Sequence, residues 1–337
     1  MKKPLLQTET RVRRTYRGGK NIDAFLGKEK CENSFFPEDW ISSFTEAKNK
    51  IYTEGEGITH VILDGKEVPL PDAVSTDDLG EGRTDCGVLV KLLDAGERLG
   101  IQVHPTPAFS LKHFSSPHGK TECWHILSAA PDAAVYIGFK EGITKEKWKA
   151  LYEKQDVQGM LDSMHRLSVK EGDTVLVKAG TPHAIGAGCF LLEIQEPTDY
   201  TMRVEKITLA GDVLTPMQIH YGVGEEALFD CFIYEGISED AAKEKYLLRS
   251  KKGTDGSAPE MYVTYDDTPC FALGHIKDGE KISPRSFVTL VITAPGTVKT
   301  ADCKLTVKRG DKLFVPYGCG EILSEGAEAI VCYPPKI

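Results

Sequence analysis

The sequence predicts an all-β fold with helical insertions, divided between two domains. Three observations carry this expectation. Short runs rich in Val, Ile and Leu recur along the chain and are punctuated by turn residues, as all-β barrels require. A frame of glycines around a strand-like segment occurs twice, at 172–183 and again at 310–321. A length of 337 residues favours about two domains over one.

Taken in order, strands are expected at 61–63, 88–93, 99–104, 123–127, 134–139, 174–177 and 190–195. A polar loop is expected at 110–119, with His113 and His118 solvated in it. Residues 145–165 read as a helical insert, with Trp148, Leu151 and Tyr152 at helical spacing and Thr144 as its N-cap. A second helix is expected at 239–248, around Ala241, Ala242 and Tyr246. The polar tract 251–257 reads as a linker or exposed loop, which puts the boundary between 1–257 and 258–337.

Residues two apart on a strand share a face, so Gln102 and His104 present an amide oxygen and an imidazole side by side. Glu122 begins what reads as the next strand, and His183 follows a tight Gly180-Thr181-Pro182 turn. Two imidazoles, a carboxylate and an amide oxygen make a divalent-metal site with room for a substrate. Any one of them alone reads equally well as a satisfied, half-buried residue; the joint pattern favours metal. His125 is three residues after Glu122, which turns it to the opposite strand face and makes it a non-ligand.

A net charge of −9 and the lack of any Lys/Arg run longer than a pair exclude nucleic acid and anionic membrane as main partners. After Lys2 and Lys3, the apolar Pro4, Leu5 and Leu6 give way at once to polar residues, so no signal peptide is read. Nine cysteines spread singly, without a Cys-x-x-Cys pair, point to reduced thiols in the cytoplasm. A monomer is expected, because a second domain can cover the sheet edge of the first.

The order and spacing of these ligands resemble the cupin barrel, whose second motif runs Gly, five residues, Pro, one residue, Gly, two residues, His. Gly172, Gly180 and His183 keep that pattern, with Lys178 where the Pro would be. In the repeat, Gly310, Pro316 and Gly318 keep it, but Glu321 stands at the His position and no Gln-x-His pair lies upstream. The expected architecture is therefore a bicupin, two jelly-roll barrels, the first metal-binding and the second degenerate. Within cupins the chain resembles the type I phosphomannose isomerases, nearer their short bacterial form. The stretches that carry the likeness are 89–95, 101–105, 119–124, 179–188 and 193–204, in the family's order, with weaker echoes at 17–19 and 55–58.

The resemblance implies an aldose–ketose isomerase of mannose 6-phosphate and fructose 6-phosphate working through an enediol. It implies one Zn2+ per chain, or another divalent metal, on Gln102, His104, Glu122 and His183. It places Lys91, Lys120, Asp199 and Arg203 in the pocket, Lys120, Asp199 and Arg203 for catalysis and Lys91, Lys120 and Arg203 for the phosphosugar. Each has a duller reading. Lys91, in an apolar strand, is costly unless it snorkels or faces a polar cavity. On the residues alone, Lys120 with Glu122 reads rather as a surface pair, and Asp199 with Arg203 rather as a structural ion pair.

Three stretches depart from the family. Gly100 stands where a Ser is usual, Thr106 and Pro107 follow Pro105 where acidic residues are usual, and Val204, Glu205 and Lys206 replace a Tyr-Asp-Tyr-like stretch. The alternatives are therefore an isomerase of another phosphosugar or of a free sugar, or a cupin that binds sugar without turning it over. An iron-dependent oxygenase is disfavoured by Gln102 in place of a further His and by Lys120 beside the ligand Glu.

Overall fold

The computed structural model describes residues 1–254 and 256–336. Asp255, inside the tract read as a linker, and Ile337 lie outside the described residues. Strands dominate and helices are few and short, as expected. Four sheets stack face to face, and the alternation of side chains along each strand dictates the stack.

The first is a six-stranded sheet that runs Met164–Ser168, Ala134–Lys140, His183–Ile185, Gln102–Val103, Met202–Arg203, with Gly236–Ile237 beside Ala134–Lys140. The second is seven-stranded, with Thr174–Val177, Glu122–Ala129, Cys189–Gln195, Leu89–Ala95 and Glu38–Ile41 adjacent and antiparallel. Leu93, Trp124, Ile126, Val175 and Leu191 of the second sheet pack against Val135, Ile137 and Ile185 of the first. Their neighbours Val90, Leu92, Cys123, Leu176 and Ile194 point the other way, onto Leu273, Val291, Phe314 and Ile330 of a third sheet. That third sheet, also seven-stranded, uses its far face, Leu290, Leu313, Ala329 and Val331, to cover a four-stranded sheet through Val298, Val307 and Ile322. Both middle sheets are buried on two faces, so their strands read as nearly continuous apolar runs. Each such fully buried aliphatic side chain contributes roughly 1.5–3 kcal/mol.

The ends of the chain meet. Leu5–Leu6 pairs with Lys312–Val315, and the Lys312 ammonium is buried against Asp39 of the second sheet. Ser42 and Thr289 share a hydroxyl hydrogen bond of 2.6 Å across the same seam.

Three local expectations are corrected. The insert at 145–165 is two helices, Lys145–Lys154 and Val157–Asp162, broken at Gln155 in a left-handed conformation (φ 51°). Thr144 caps the first as expected, Asp156 caps the second, and His165 already belongs to the strand Met164–Ser168. The expected loop at 110–119 begins as the helix Pro107–Phe114, whose N-cap is Thr106 with Pro107 at the first helical position. His113 therefore lies against Phe109 with ring centroids 4.4 Å apart, and it and His118 are half-buried rather than solvated. The tract at 251–257 supplies a short strand, Lys251–Lys252, to the edge of the third sheet. The helix expected at 239–248 is present as Glu239–Tyr246.

On the outer face of the six-stranded sheet, Phe139, Ala184 and Met202 are covered by helical residues including Trp148, Tyr152, Met160, Ile219 and Phe229. Among the described residues no helix is long and apolar enough to cross a membrane. All nine cysteines are free.

Candidate metal centre and its cleft

Two facing sheets bring the polar constellation together. The six-stranded sheet contributes Gln102, directly opposite His183 on one neighbour and Arg203 on the other. The seven-stranded sheet contributes Glu122, and Glu193 lies opposite both Lys91 and Trp124. Strand parity puts Lys91, Glu122 and Glu193 on the same inward face as Leu93, Trp124 and Leu191. His104 follows the strand Gln102–Val103 immediately, and Gly180, with φ 85°, turns the chain that delivers His183.

His104, Glu122 and His183 are buried, and one ligand atom from each lies within 4.8 Å of the others. His104 Nε2 is 3.1 Å from Glu122 Oε2, and His183 Nε2 is 3.4 Å from Glu122 Oε1. These are separations that ligands about 2 Å from a shared ion would have. The Nδ1 of His104 donates to Tyr200 O at 2.9 Å, and that of His183 to Thr181 O at 2.9 Å. Both rings are thereby fixed in the tautomer that leaves the Nε2 lone pair free, the arrangement of metal-binding histidines. The Gln102 amide lies 3.2 Å from His183 Nε2 and offers its oxygen by rotation about the last side-chain bond. This donor set fits zinc or a similar divalent ion. His125 points away: its Nδ1 is 3.0 Å from Thr174 Oγ1 and its ring stacks on Tyr262 at 4.0 Å.

Lys120 precedes the strand and is buried, so the reading of Lys120 and Glu122 as a surface pair is excluded. Its Nζ touches Glu122 Oε2 and lies 2.8 Å from His104 Nε2. Burial pushes both imidazoles to hold protons less readily than free histidine, and the Lys120 ammonium adds to this at His104 and His183. Against the cost of burial, the same ammonium keeps the Glu122 carboxyl below its ordinary value.

The centre adjoins a cleft lined by Lys91, Gln102, Lys120, Asp199 and Arg203. Lys91 does not snorkel; it is buried with Nζ 3.1 Å from Glu193 and 3.6 Å from Glu38, and over the Trp40 ring. Those two carboxylates outweigh its desolvation and raise its pKa. Asp199 and Arg203 do not form the ion pair considered as the alternative. Asp199 is taken by Arg14, at 2.9 and 3.1 Å, while Arg203 Nη1 donates to Thr201 O and Gln218 O at 3.1 and 2.7 Å.

Sequence reasoning missed Arg14, Tyr16, Glu38 and Glu193, all of which line the cleft. Glu193 was within reach, since a carboxylate in an apolar strand needs the same explanation as Lys91. Burial, reinforced by Glu122, raises its pKa even though Lys91 and Lys120 oppose the shift. Glu38 accepts from Tyr16 and Trp40 at 2.7 Å each and from Arg14 at 2.9 Å. Its short strand carries no motif, and only the tertiary pairing brings it here. Gly100 also lines the cleft; beside it Glu205 is held bidentate by Arg98, at 2.6 and 2.9 Å, and by the Ile101 N–H at 2.7 Å.

No family model matches the chain. It is 29% identical over 251 residues to "Mannose-6-phosphate isomerase ManA" of Bacillus subtilis, 73% of this chain and 74% of the relative. It is 40% identical over 117 residues, 35% of each chain, to "Mannose-6-phosphate isomerase" of Streptococcus mutans. The crystal structure of mannose 6-phosphate isomerase from Bacillus subtilis superposes with a TM-score of 0.76 at 20% identity, covering 98% of this chain and 99% of that one. A zinc-bound mannose 6-phosphate isomerase structure gives 0.75 at 16% identity over 99% of this chain and all of the other (100%). At such identities the structural likeness carries the fold.

Proposed function

We propose, from the chain's membership of the type I phosphomannose isomerase family, that it is a zinc-dependent isomerase interconverting mannose 6-phosphate and fructose 6-phosphate. The observation that carries this reading is the convergence of His104, Glu122 and His183, both imidazoles locked to offer Nε2, behind Gln102 and Lys120 in the wall of a cleft rich in fixed cations and carboxylates.

His104, Glu122 and His183, with Gln102 beside them, would hold the ion. When bound, it supplies Lewis acidity toward the sugar's carbonyl and hydroxyl oxygens. The rest of the work falls to the chain's own residues. Proton transfer between C1 and C2 through an enediol needs a donor and acceptor beside the centre, and Lys120 with Glu193 behind it is the nearest such pair, 4.0 Å apart. Arg203, on the strand next to Gln102, orients the substrate. Asp199, with both oxygens engaged by Arg14 and by the Lys48 N–H at 2.7 Å, acts as a positioning residue for the cleft wall. Lys91 sets the field of the site through Glu38 and Glu193.

We read the two pairs of sheets as two cupin barrels with the boundary near residue 258. The repeated glycine frame supports this, with Glu321 exposed and paired to Lys281 at 2.9 Å where the first barrel has His183. Nine free cysteines support a reducing compartment such as the cytoplasm, and we read the chain as acting as a monomer.

Metal analysis of the purified protein, with a coupled assay over a panel of phosphosugars and free sugars, tests the reading. Stoichiometric zinc and turnover of mannose 6-phosphate above the other sugars are expected. A metal-free protein, or one inert toward every sugar, sinks it.

A further inference from the structure

A second cleft of about 780 Å³ adjoins the first, sharing Arg14, Thr15, Arg203 and Leu214 with it. The two differ in how their cations are compensated. In the first, Lys91 faces Glu193 and Glu38, Lys120 faces Glu122 and Glu193, Arg14 faces Asp199 and Glu38, and Arg98 faces Glu205, each within 4.0 Å. Among the described residues of both clefts, the cations without a carboxylate at that range are Arg203, Lys48 and Lys50, and all three line the second.

We propose that this second cleft holds the substrate's phosphate, between Arg203 at the junction and Lys48 on the facing loop, with Lys50 at its mouth. The inference rests on the isomerase reading above. In a hexose 6-phosphate the reacting carbons and the phosphate are at opposite ends of the chain. With C1 and C2 at the metal centre, the dianion must lie a sugar's length away. The cations beside the metal are already neutralised by buried carboxylates, which would repel a phosphate as strongly as the ammonium groups attract it. The second cleft offers positive charge without that penalty.

Lys48 and Arg203 are also tied to the site. The Lys48 N–H donates to Asp199 Oδ2 at 2.7 Å, and its ammonium lies 4.8 Å from the Tyr200 ring centroid. Tyr200 is the residue whose carbonyl fixes His104, which ties Lys48 to the metal side of the site. Arg203 spends one nitrogen on two carbonyls and keeps its remaining donors for a ligand.

The test uses the metal-loaded full chain and the variants Lys48→Ala, Lys50→Ala and the double variant. For the double variant we expect KM for mannose 6-phosphate to rise about tenfold with kcat within about twofold, the pattern of lost ground-state binding. Inhibition by inorganic phosphate should weaken by the same factor, with zinc content unchanged. Unaltered KM and unaltered phosphate inhibition in the double variant overturn the proposal. If the wild-type protein turns over no phosphosugar, it is the isomerase reading that fails. Calorimetric titration with inorganic phosphate then still decides the site: binding by wild type and loss in the double variant uphold it, and absence of binding by wild type overturns it.

Discussion

Arg14 grips both carboxylate oxygens of Asp199, at 2.9 and 3.1 Å, although 185 residues separate them. The pair is buried, and Arg14 also reaches Glu38 at 2.9 Å, so one guanidinium fastens an early loop to the wall of the cleft. Against its burial, Arg14 followed by Lys91 holds the Asp199 carboxyl below its usual range.

Removing this guanidinium strands two buried carboxylates. Arg14→Ala should destabilise the protein by about 3–5 kcal/mol, read from urea denaturation. A loss below about 1 kcal/mol would mean that solvent reaches the pair freely.

The metal centre predicts that His104→Ala and His183→Ala each weaken metal binding by at least about a hundredfold while the fold persists, as judged by circular dichroism. Zinc retained at full stoichiometry in both variants would remove these histidines from the ligand set.

Arg203 is expected to serve binding. Arg203→Ala should cost about 1.5–3 kcal/mol, seen as a raised KM with kcat nearly held. A collapsed kcat at unchanged KM would reassign Arg203 to the reacting atoms.

Gly100 has room for a side chain: a Cβ there meets only Glu205 Oε1, at 3.9 Å, and the backbone is not left-handed. The Glu205 oxygens are already engaged by Arg98 and the Ile101 N–H. The hydroxyl of Gly100→Ser is therefore available to substrate and should raise kcat/KM for mannose 6-phosphate by about tenfold. Higher activity on a different phosphosugar, worsened by the serine, would show a pocket tuned to that other sugar.

His125 links pH to stability away from the centre. Burial, with His275 adding to it, lowers its pKa to about 4, against about 6.5 in an unfolded chain. Between those values the unfolded chain binds the proton and the folded one does not, so stability rises with pH across the window. The contribution is complete above about 6.5 and is lost progressively as pH falls toward 4, about 3 kcal/mol in all. His125→Gln should flatten the curve of unfolding free energy there relative to wild type; parallel curves would refute the assignment.

Much of this site was legible because its chemistry follows strand parity. Gln102 and His104 declare a common face by their spacing, and the turn at Gly180 announces the strand that delivers His183. Lys91 was legible as an energetic anomaly, a charge in an apolar run. Arg14 and Glu38 were not, because they sit in or beside two- and four-residue strands whose register is set by partners far along the chain. The helix Pro107–Phe114 was missed although Thr106-Pro107 is a capping signal, because eight residues are too few to display a helical period and the polar run from Ser115 to Gly119 follows at once. At fold level, glycine punctuation and apolar runs revealed the strands. The stacking of four sheets follows from which alternate residues are apolar on both faces, a property spread over the whole chain.

The pairing of Leu5–Leu6 with Lys312–Val315 has a kinetic consequence. Phe314, the partner of Leu5, follows it by 309 residues, so residues 5 and 6 stay without their seat while all of the intervening chain is made. Closing a loop of that span makes the contact slow to form. Until it does, the Lys312–Val315 backbone is an open edge able to recruit a neighbouring chain. The joining of these two distant segments is therefore a step at which the molecule is open to aggregation.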